Sequence, residues 1–444
     1  MWTRRSWLKA MAGASGAVAA CGDDRSSAGD PEAPAPVDAA IEGVLPRPSP
    51  DWHHVTWVDE DVPITKGPCA HALGPDVVRL RLESTSEDPI EIVFEEEDGT
   101  QHRIETSPTV EDIDYAWPPG RQLRVDNRDE AGRYAIHDVV LAGLAAGTQL
   151  TWRIEGLEPV EGRVRVPPGR GMPSRVAWIS DTMYPTHARV ADALATYAPD
   201  LSLHGGDLQY QTNPFDTWNG FYHAMRPLLR LGAFHACPGN HEYEEQNEFE
   251  VQYLRFFGGQ GEEGRGVDYY ALTWSGIRFL MLNSEDGFGA GPSPQRAWVE
   301  AALAEADADP NVWATVPCFH RPYYTFSRSR PSLSNREAMH GLFRQHRVPL
   351  VLTGHNHCYE RFLVDGITYV VDGGGGAFLY SVDHHLADAR EREPEHIDDR
   401  LVASTTHGGL IMDIDEGGEI HVQRVGIEGD IEDDVRIAPS GELR

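Results

Sequence analysis

Arg175-Val176-Ala177-Trp178-Ile179-Ser180-Asp181 and, one helical stretch later, Leu201-Ser202-Leu203-His204-Gly205-Gly206-Asp207-Leu208-Gln209-Tyr210 decide the fold. Each opens with a short apolar run that ends in small residues and an aspartate. Between them, Ala188 to Tyr197 spaces its apolar residues as one face of a helix. Strand, helix, strand is the signature of parallel strands with covered faces. The pattern continues outward: a helix over Phe215 to Leu231, a strand over Ala233 to Ala236, and a strand over Ile277 to Leu282. Then come a helix over Pro294 to Ala306, a strand over Val312 to Phe319, a helix over Asn335 to His346 and a strand over Pro349 to Leu352. There is no internal repeat. The α/β region is expected to span residues 171–428, with 429–444 as a tail.

Upstream the text is different. From about Trp52 to Pro168 short alternating runs (Val77 to Leu82, Ile90 to Phe94, Tyr134 to Leu141) are separated by Gly, Pro and Asp, and no helical period persists. That reads as an antiparallel β-sandwich over residues 52–168. The stretch from His137 to Arg153 resembles the strand–turn–strand of fibronectin type III domains, with Leu150 where an aromatic is commoner. The turn Pro167-Pro168-Gly169 separates this region from the α/β part.

The beginning of the chain reads as an export signal. Thr3-Arg4-Arg5-Ser6-Trp7-Leu8-Lys9 is a twin-arginine pattern, and the Gly/Ala-rich run Ala10 to Ala20 is too short and mild to span a bilayer. Val18-Ala19-Ala20-Cys21 resembles a bacterial lipobox, with Cys21 as the acylated residue. Residues 1–21 are thus expected to be a Tat-type lipoprotein signal with its acylation site, and the Pro/Ala/Asp/Ser-rich residues 22–51 a solvated tether. The implied location is the bacterial cell envelope, at the periplasmic or outer-membrane face, with the membrane contacted only through the lipid.

Seventy acidic against 38 basic residues give a formal net charge of −32. Such a surface repels polyanions, which argues against a nucleic-acid binder. A small anionic substrate entering that field needs a strongly positive site. Lys9 and Lys66 are the only lysines, so Arg, His or metal must supply the positive charge.

In open α/β sheets the ligand crevice lies beyond the carboxyl ends of the strands. Here those ends read Ser180-Asp181-Thr182, Gly206-Asp207-Leu208-Gln209-Tyr210, Gly239-Asn240-His241-Glu242, His320-Arg321-Pro322 and Gly354-His355-Asn356-His357-Cys358-Tyr359-Glu360-Arg361. Singly, each has an ordinary explanation: Gly-Asp as a turn or helix cap, Asn after Gly in a left-handed turn, a lone His bonded in the core. Their joint occurrence at successive strand ends makes those explanations improbable. Together they resemble the calcineurin-like metallophosphoesterases. The narrower likeness is to the purple acid phosphatase branch, because the first motif lacks the His of Asp-x-His (Asp181-Thr182-Met183) while the second supplies Tyr210. The resemblance covers roughly residues 55–425.

That resemblance implies one metal held by Asp181, Asp207, Tyr210 and His357, and another by Asp207, Asn240, His320 and His355, with Asp207 bridging. A Tyr210 phenolate suits Fe(III); two imidazoles and an amide oxygen suit Zn, Mn or Fe(II). The implied reaction is hydrolysis of phosphate monoesters by in-line attack of a metal-bound hydroxide on phosphorus. His241 then protonates the leaving oxygen or holds a phosphoryl oxygen, or else only orients its neighbours. Many purple acid phosphatases carry a His pair about ten residues beyond the His320-type ligand. Here the stretch is Phe326-Ser327-Arg328-Ser329-Arg330, so Arg328 or Arg330 is expected to contact phosphate instead.

Of the cysteines left after Cys21, Cys318 and Cys358 flank ligands and could pair in an oxidising compartment; buried free thiols are the alternative. His384, His385 and the acidic run Glu391 to Asp399 form an insertion that covers the site or is solvated surface. Two other functions compete with the monoesterase: a phosphodiesterase or nucleotide hydrolase on the same metals, and an inactive surface lipoprotein that binds a partner.

Overall fold

Val176 and Trp178 leave one face of the strand Ser174–Ile179 and Ala177 and Ile179 the other, and all four are fully buried. A strand covered on both faces requires this. The computed structural model describes residues 64–113, 132–157, 160–210, 218–244, 249–259, 268–286 and 293–443. The expected signal with Cys21, the tether and the first residues of the expected sandwich lie outside them.

Ser174–Ile179 runs parallel to Leu201–His204, which runs parallel to Ala233–Ala236. On one side the antiparallel strands Gly408–Ile414, Ile420–Gly426 and Ile431–Ile437 extend this sheet. A second sheet has seven strands, in the order Tyr270–Trp274, Ile277–Met281, Ala314–Phe319, Leu350–Thr353, Ile367–Asp372, Tyr359–Val364 and Arg400–Ser404. Its four middle parallel strands, Ile277–Met281 through Ile367–Asp372, give it the same sense.

Three apolar clusters show how the layers stack. Val176, Trp178, Leu203, Val316, Leu350 and Leu352 share the core between the two sheets. Ala177, Ile179 and Phe234 face the helix Thr186–Ala195 through Val190, Ala191 and Leu194. Leu280, Phe319 and Val351 face the helices Pro294–Ala308 and Leu333–Gln345 through Leu303, Met339 and Phe343. Helices therefore cover the outer faces of two face-to-face sheets. Each parallel strand serves two cores by its period of two.

The N-terminal region is a β-sandwich, as expected, and it is joined to the α/β part. One layer, Ile64–Gly74, Val77–Ser84, Gly132–Ala142 and Thr109–Ile113, continues the first sheet through a parallel pairing at Ala70 and Ala233. The other layer is Gln101–Thr106, Ile90–Glu96, Gln149–Glu155 and Val160–Arg165. Leu80, Leu82, Ile92, Phe94 and Trp152 close the space between the layers and belong to the same continuous core as Trp178 and Leu352.

One expected helix is interrupted. Where a single helix was read over Phe215 to Leu231, the described part is two short ones, Trp218–Ala224 and Arg226–Leu229. Pro227 is the physical reason: it has no N–H to donate and its ring crowds the carbonyl four residues back. It is tolerated in the first turn of the second helix.

The joint between sandwich and α/β region contains buried charge. Glu83, with no solvent exposure, accepts from Thr65 Oγ1 at 2.6 Å and from Lys66 Nζ at 2.9 Å, and pairs with Arg255. Burial alone would raise its carboxyl pKa, but Lys66 and Arg255 hold it below the ordinary glutamate value of 4.5. Removing one partner leaves an uncompensated buried charge, so Lys66→Met should cost on the order of 3 kcal/mol by denaturant titration. Because the folded pKa of Glu83 is depressed, its stabilisation is complete above pH 4.5 and fades as pH falls through the folded value. The gap between wild type and a Glu83→Gln variant should therefore be pH-independent near neutrality and narrow in acid.

Candidate metal centre

The strands deliver their polar residues through unusual backbone. Asp181, Asp207 and His355 have φ of 61°, 54° and 69°, a left-handed region costly for residues with a Cβ. Local bonds over-determine these turns. Asp181 N donates to Gly206 O at 3.1 Å, Thr182 N to Asp207 O at 3.0 Å, and His355 N to Asp181 Oδ2 at 2.8 Å. Two glycines are required by close approach. A Cβ on Gly239 would lie 2.3 Å from Asp207 Oδ1, and one on Gly354 would lie 2.5 Å from Asp181 Oδ2.

The structure brings six of the seven expected ligands into direct contact, and Asn240 follows Gly239 on the neighbouring loop. Tyr210 Oη lies 2.8 Å from Asp181 Oδ1, 3.2 Å from Asp207 Oδ2 and 2.9 Å from His357 Nε2. On the other side of Asp207, Oδ2 is 3.1 Å from His320 Nε2, and His320 Nε2 is 3.1 Å from His355 Nδ1. One donor atom from each of Asp207, His320 and His355 fits within a 4.8 Å group. Asn240 Oδ1 is buried without a hydrogen-bond partner among the described residues, which a buried amide oxygen does not tolerate unless something else satisfies it. Two imidazoles are oriented from behind. His320 Nδ1 donates to Gly205 O at 2.9 Å and His357 Nδ1 to Phe378 O at 2.8 Å, so each turns Nε2 inward.

The charges are coupled. Burial opposes ionisation of Asp207, yet His320 and His241 hold its carboxyl well below the ordinary aspartate range. Burial also opposes a charge on His320, but Asp207 and Asp181 outweigh it and raise the pKa to about 10. Burial, then Asp181 and Asp207, push the Tyr210 phenol well above 10. Burial opposes a charge on His241 too; Asp207, 3.8 Å from Nε2, and Glu244, 2.9 Å from Nδ1, raise it to about 9. Its ring lies 4.1 Å from that of Tyr210.

Several supporting residues escaped the sequence reading. Glu242 is fully buried, and its carboxylate accepts from the backbone N–H groups of Gly239 at 2.6 Å, Asp207 at 2.9 Å and Leu208 at 2.8 Å. It ties two ligand loops together. Asn356, between the two ligand histidines, turns away from them: its Oδ1 accepts from Ser329 N and its Nδ2 donates to Ser329 O and Thr325 Oγ1. Glu360 accepts from Thr325 Oγ1 and Phe326 N. The only advance signal for these was a carboxylate or amide written into a ligand motif without a role.

The two arginines of the Phe326–Arg330 stretch separate. Arg330 is exposed and pairs with Asp388 of the helix Leu386–Arg392, in the expected insertion. Arg328 lies with its guanidinium carbon 4.9 Å over the Tyr380 ring, and Tyr380 stacks on His357 with centroids 4.0 Å apart. Among the described residues Arg328 has no ion pair. Arg321, which the sequence reading passed over, has one Nη 3.1 Å from His355 Nε2, but the carboxylate of Glu285 engages it at 2.8–2.9 Å. The insertion packs on the site's rim: His385 Nε2 donates to Arg328 O at 2.8 Å. Cys69, Cys237, Cys318 and Cys358 are buried free thiols, so the alternative of a Cys318–Cys358 bridge is not realised.

Comparison with known proteins agrees with this geometry. Residues 174–359 match the family model of the calcineurin-like phosphoesterases. Over 243 residues the chain is 30% identical to purple acid phosphatase 22 of Arabidopsis thaliana, covering 51% of this chain and 54% of that one. Residues 174–359 thus resemble a calcineurin-like phosphoesterase domain, and the likeness extends to purple acid phosphatases. A probable purple acid phosphatase 20 of the same plant is 27% identical over 298 residues, covering 63% of this chain and 68% of that one. The chain thus spans between about half and two thirds of these relatives' lengths. The structure of purple acid phosphatase PPD1 from yellow lupin seeds superposes with a TM-score of 0.68 at 17% identity, over 86% of this chain and 75% of that one, which shows a shared fold.

The donors of this domain fit a dinuclear centre. Asp207 Oδ2 stands between Tyr210 and His320, and the nearby loop carries the partnerless oxygen of Asn240. Since Glu242 meets three N–H donors, Glu242→Gln would set an amide N–H₂ against at least one of them. Metal affinity should fall about 10–100-fold, measured by competition with a chelator, while the protein remains folded.

Proposed function

We propose that the protein hydrolyses phosphate monoesters at two metal ions, one held by Asp181, Asp207, Tyr210 and His357 and the other by Asp207, Asn240, His320 and His355. The observation that carries the reading is that both donor sets share Asp207 and stand beside His241 and the uncommitted Arg328. When bound, the metals supply Lewis-acid stabilisation of phosphoryl oxygens and a water of lowered pKa. The Tyr210 phenol suits Fe(III) in the first set, and the imidazoles and amide suit Zn, Mn or Fe(II) in the second.

The chain's own groups divide the remaining work. Arg328 offers a guanidinium to the phosphate from over the Tyr380 ring that stacks on His357. Arg330 is committed to Asp388 and Arg321 to Glu285, which leaves Arg328 to recognise substrate. His241, held protonated by Asp207 and Glu244, is placed to give a proton to the leaving oxygen. Asn356 and Glu360 fix the loop from which Arg328 projects. The sequence motifs support export and a lipid on Cys21, with the enzyme facing small phosphate esters outside the cytoplasm.

The direct test is turnover of matched chromogenic monoester and diester substrates, with Asp207→Asn as control. Monoester preference lost in the control supports the reading; diester preference moves the activity to a phosphodiesterase on the same metals. His241→Ala should lower kcat about 100-fold or more with metal content unchanged. Arg328→Ala should raise KM for the monoester about tenfold, whereas Arg330→Ala should leave it alone. A Cys21→Ser variant should appear in the soluble rather than the membrane fraction of the producing cell.

A further inference from the structure

Arg424 has no solvent exposure and lies on the strand Ile420–Gly426, outside both sets of metal ligands. Its Nε is 3.0 Å from Asp372 Oδ2, its Nη1 donates to Val425 O at 2.8 Å and its Nη2 to Thr406 O at 3.1 Å. Space for the guanidinium is provided by glycines: a Cβ on Gly408 would lie 1.7 Å from Nη1, and one on Gly374 would lie 2.5 Å from Nη2. Arg424 belongs to the first sheet and Asp372 ends a strand of the second, so the pair bridges the two.

The bridge leads to one half of the metal centre. Asp372 Oδ1 accepts from Gly374 N at 3.2 Å, and Gly374 O accepts from Gly408 N at 2.9 Å. The next residues bind the backbone of the first ligand loop, Gly375 N to Ser180 O at 2.9 Å and Ala377 N to Asp181 O at 3.0 Å. The same run then holds His357, through Phe378 O on its Nδ1 and through Tyr380 N on its carbonyl at 2.8 Å. Asp181 and His357 both lean on residues 373–380. On the other side, Glu242 accepts from Gly239 N beside Asn240, His320 Nδ1 donates to Gly205 O, and His355 is met by Arg321 at Nε2 while its backbone N donates to Asp181 Oδ2.

We propose that the Arg424–Asp372 pair is a positioning device for one metal only, the one bound by Asp181, Asp207, Tyr210 and His357. The inference rests on the two-metal reading above. Cutting the clamp frees the glycine-rich run, relaxes the left-handed turn at Asp181 and lets the His357 ring turn. In the second set, the supports at Gly239 and His320 do not pass through residues 373–380.

The test is metal content and affinity of the purified full chain, with cooperative unfolding as the check on folding. R424M should retain about one equivalent where wild type binds two, with affinity for the lost ion down about 10–100-fold. Adding His320→Ala should remove the remaining ion, whereas adding His357→Ala should not. R424K, which keeps the charge, should recover part of the second equivalent. Two equivalents at wild-type affinity in folded R424M, equal loss of both, or a residual ion that depends on His357 would each overturn the proposal. If R424M does not fold, the near-isosteric Asp372→Asn is read by the same criteria. A wild-type chain that binds fewer than two ions would instead sink the two-metal reading, which separates the two failures.

Discussion

Two carboxylates, Asp181 and Asp207, approach one phenol oxygen at 2.8 and 3.2 Å with almost no solvent exposure. Burying so much negative charge is costly unless positive charge or dense hydrogen bonding answers it. Much of the surrounding structure is that answer. Imidazoles flank the pair, with His320 Nε2 3.1 Å from Asp207 Oδ2. Backbone donors reach the other oxygen of each carboxylate, His355 N at Asp181 Oδ2 and His241 N at Asp207 Oδ1. Glycines stand where any side chain would displace a carboxylate oxygen. The left-handed turns place carboxylates inward at strand ends. Their strain is sustained by hydrogen bonds that cross-link the loops, Asp181 N to Gly206 O, Thr182 N to Asp207 O and His355 N to Asp181 Oδ2.

The parallel sheets were legible because burial on both faces writes continuous apolar runs, and Gly or Ser before a polar residue marks where each run stops. The converging residues were legible for a related reason. Metal chemistry restricts residue type and the strand end restricts position, so Asp207 or His355 is conspicuous in a way a core leucine is not. Glu242 was harder, because its partners are backbone N–H groups that have no sequence signature. Arg328 and Arg330 are two residues apart in one loop. What separates them is Asp388, 58 residues beyond Arg330. No local pattern carries that information. Arg424 did leave a trace: Ile420 and Val422 point inward, and Arg424 falls on the same phase, where a charge is out of place.

The N-terminal strands do more than precede the catalytic layers. Their inner layer continues the first sheet at Ala70 and Ala233, and Arg255, which pairs with Glu83, comes from the segment after Glu242. Arg79 and Arg81 donate to the carbonyls of Gly258 and Arg255 across the same joint. Tyr253, in that segment, donates to Ala236 O at the end of the strand that leads to Asn240. The sandwich therefore braces the back of one ligand loop through charge and hydrogen bonds. A sequence break at Pro167-Pro168-Gly169 marks a change of architecture without marking a mechanical boundary.

On the proposed reading, a chain with a net charge of −32 must bring an anionic ester to a cleft lined by the carboxylates of Asp181 and Asp207. Most arginines near the rim are already committed: Arg321 to Glu285, Arg330 to Asp388, Arg400 to Glu360 and Asp383. Each pair cancels locally and leaves no net attraction for a phosphate. Arg328 differs, because it rests on an aromatic ring that does not neutralise it. That ring in turn rests on His357. Among these rim arginines Arg328 is the one without a carboxylate partner, and it stands in line with the His357 imidazole. On the proposed reading, in so acidic a protein, an unneutralised guanidinium there aims an incoming phosphate at the proposed metal centre.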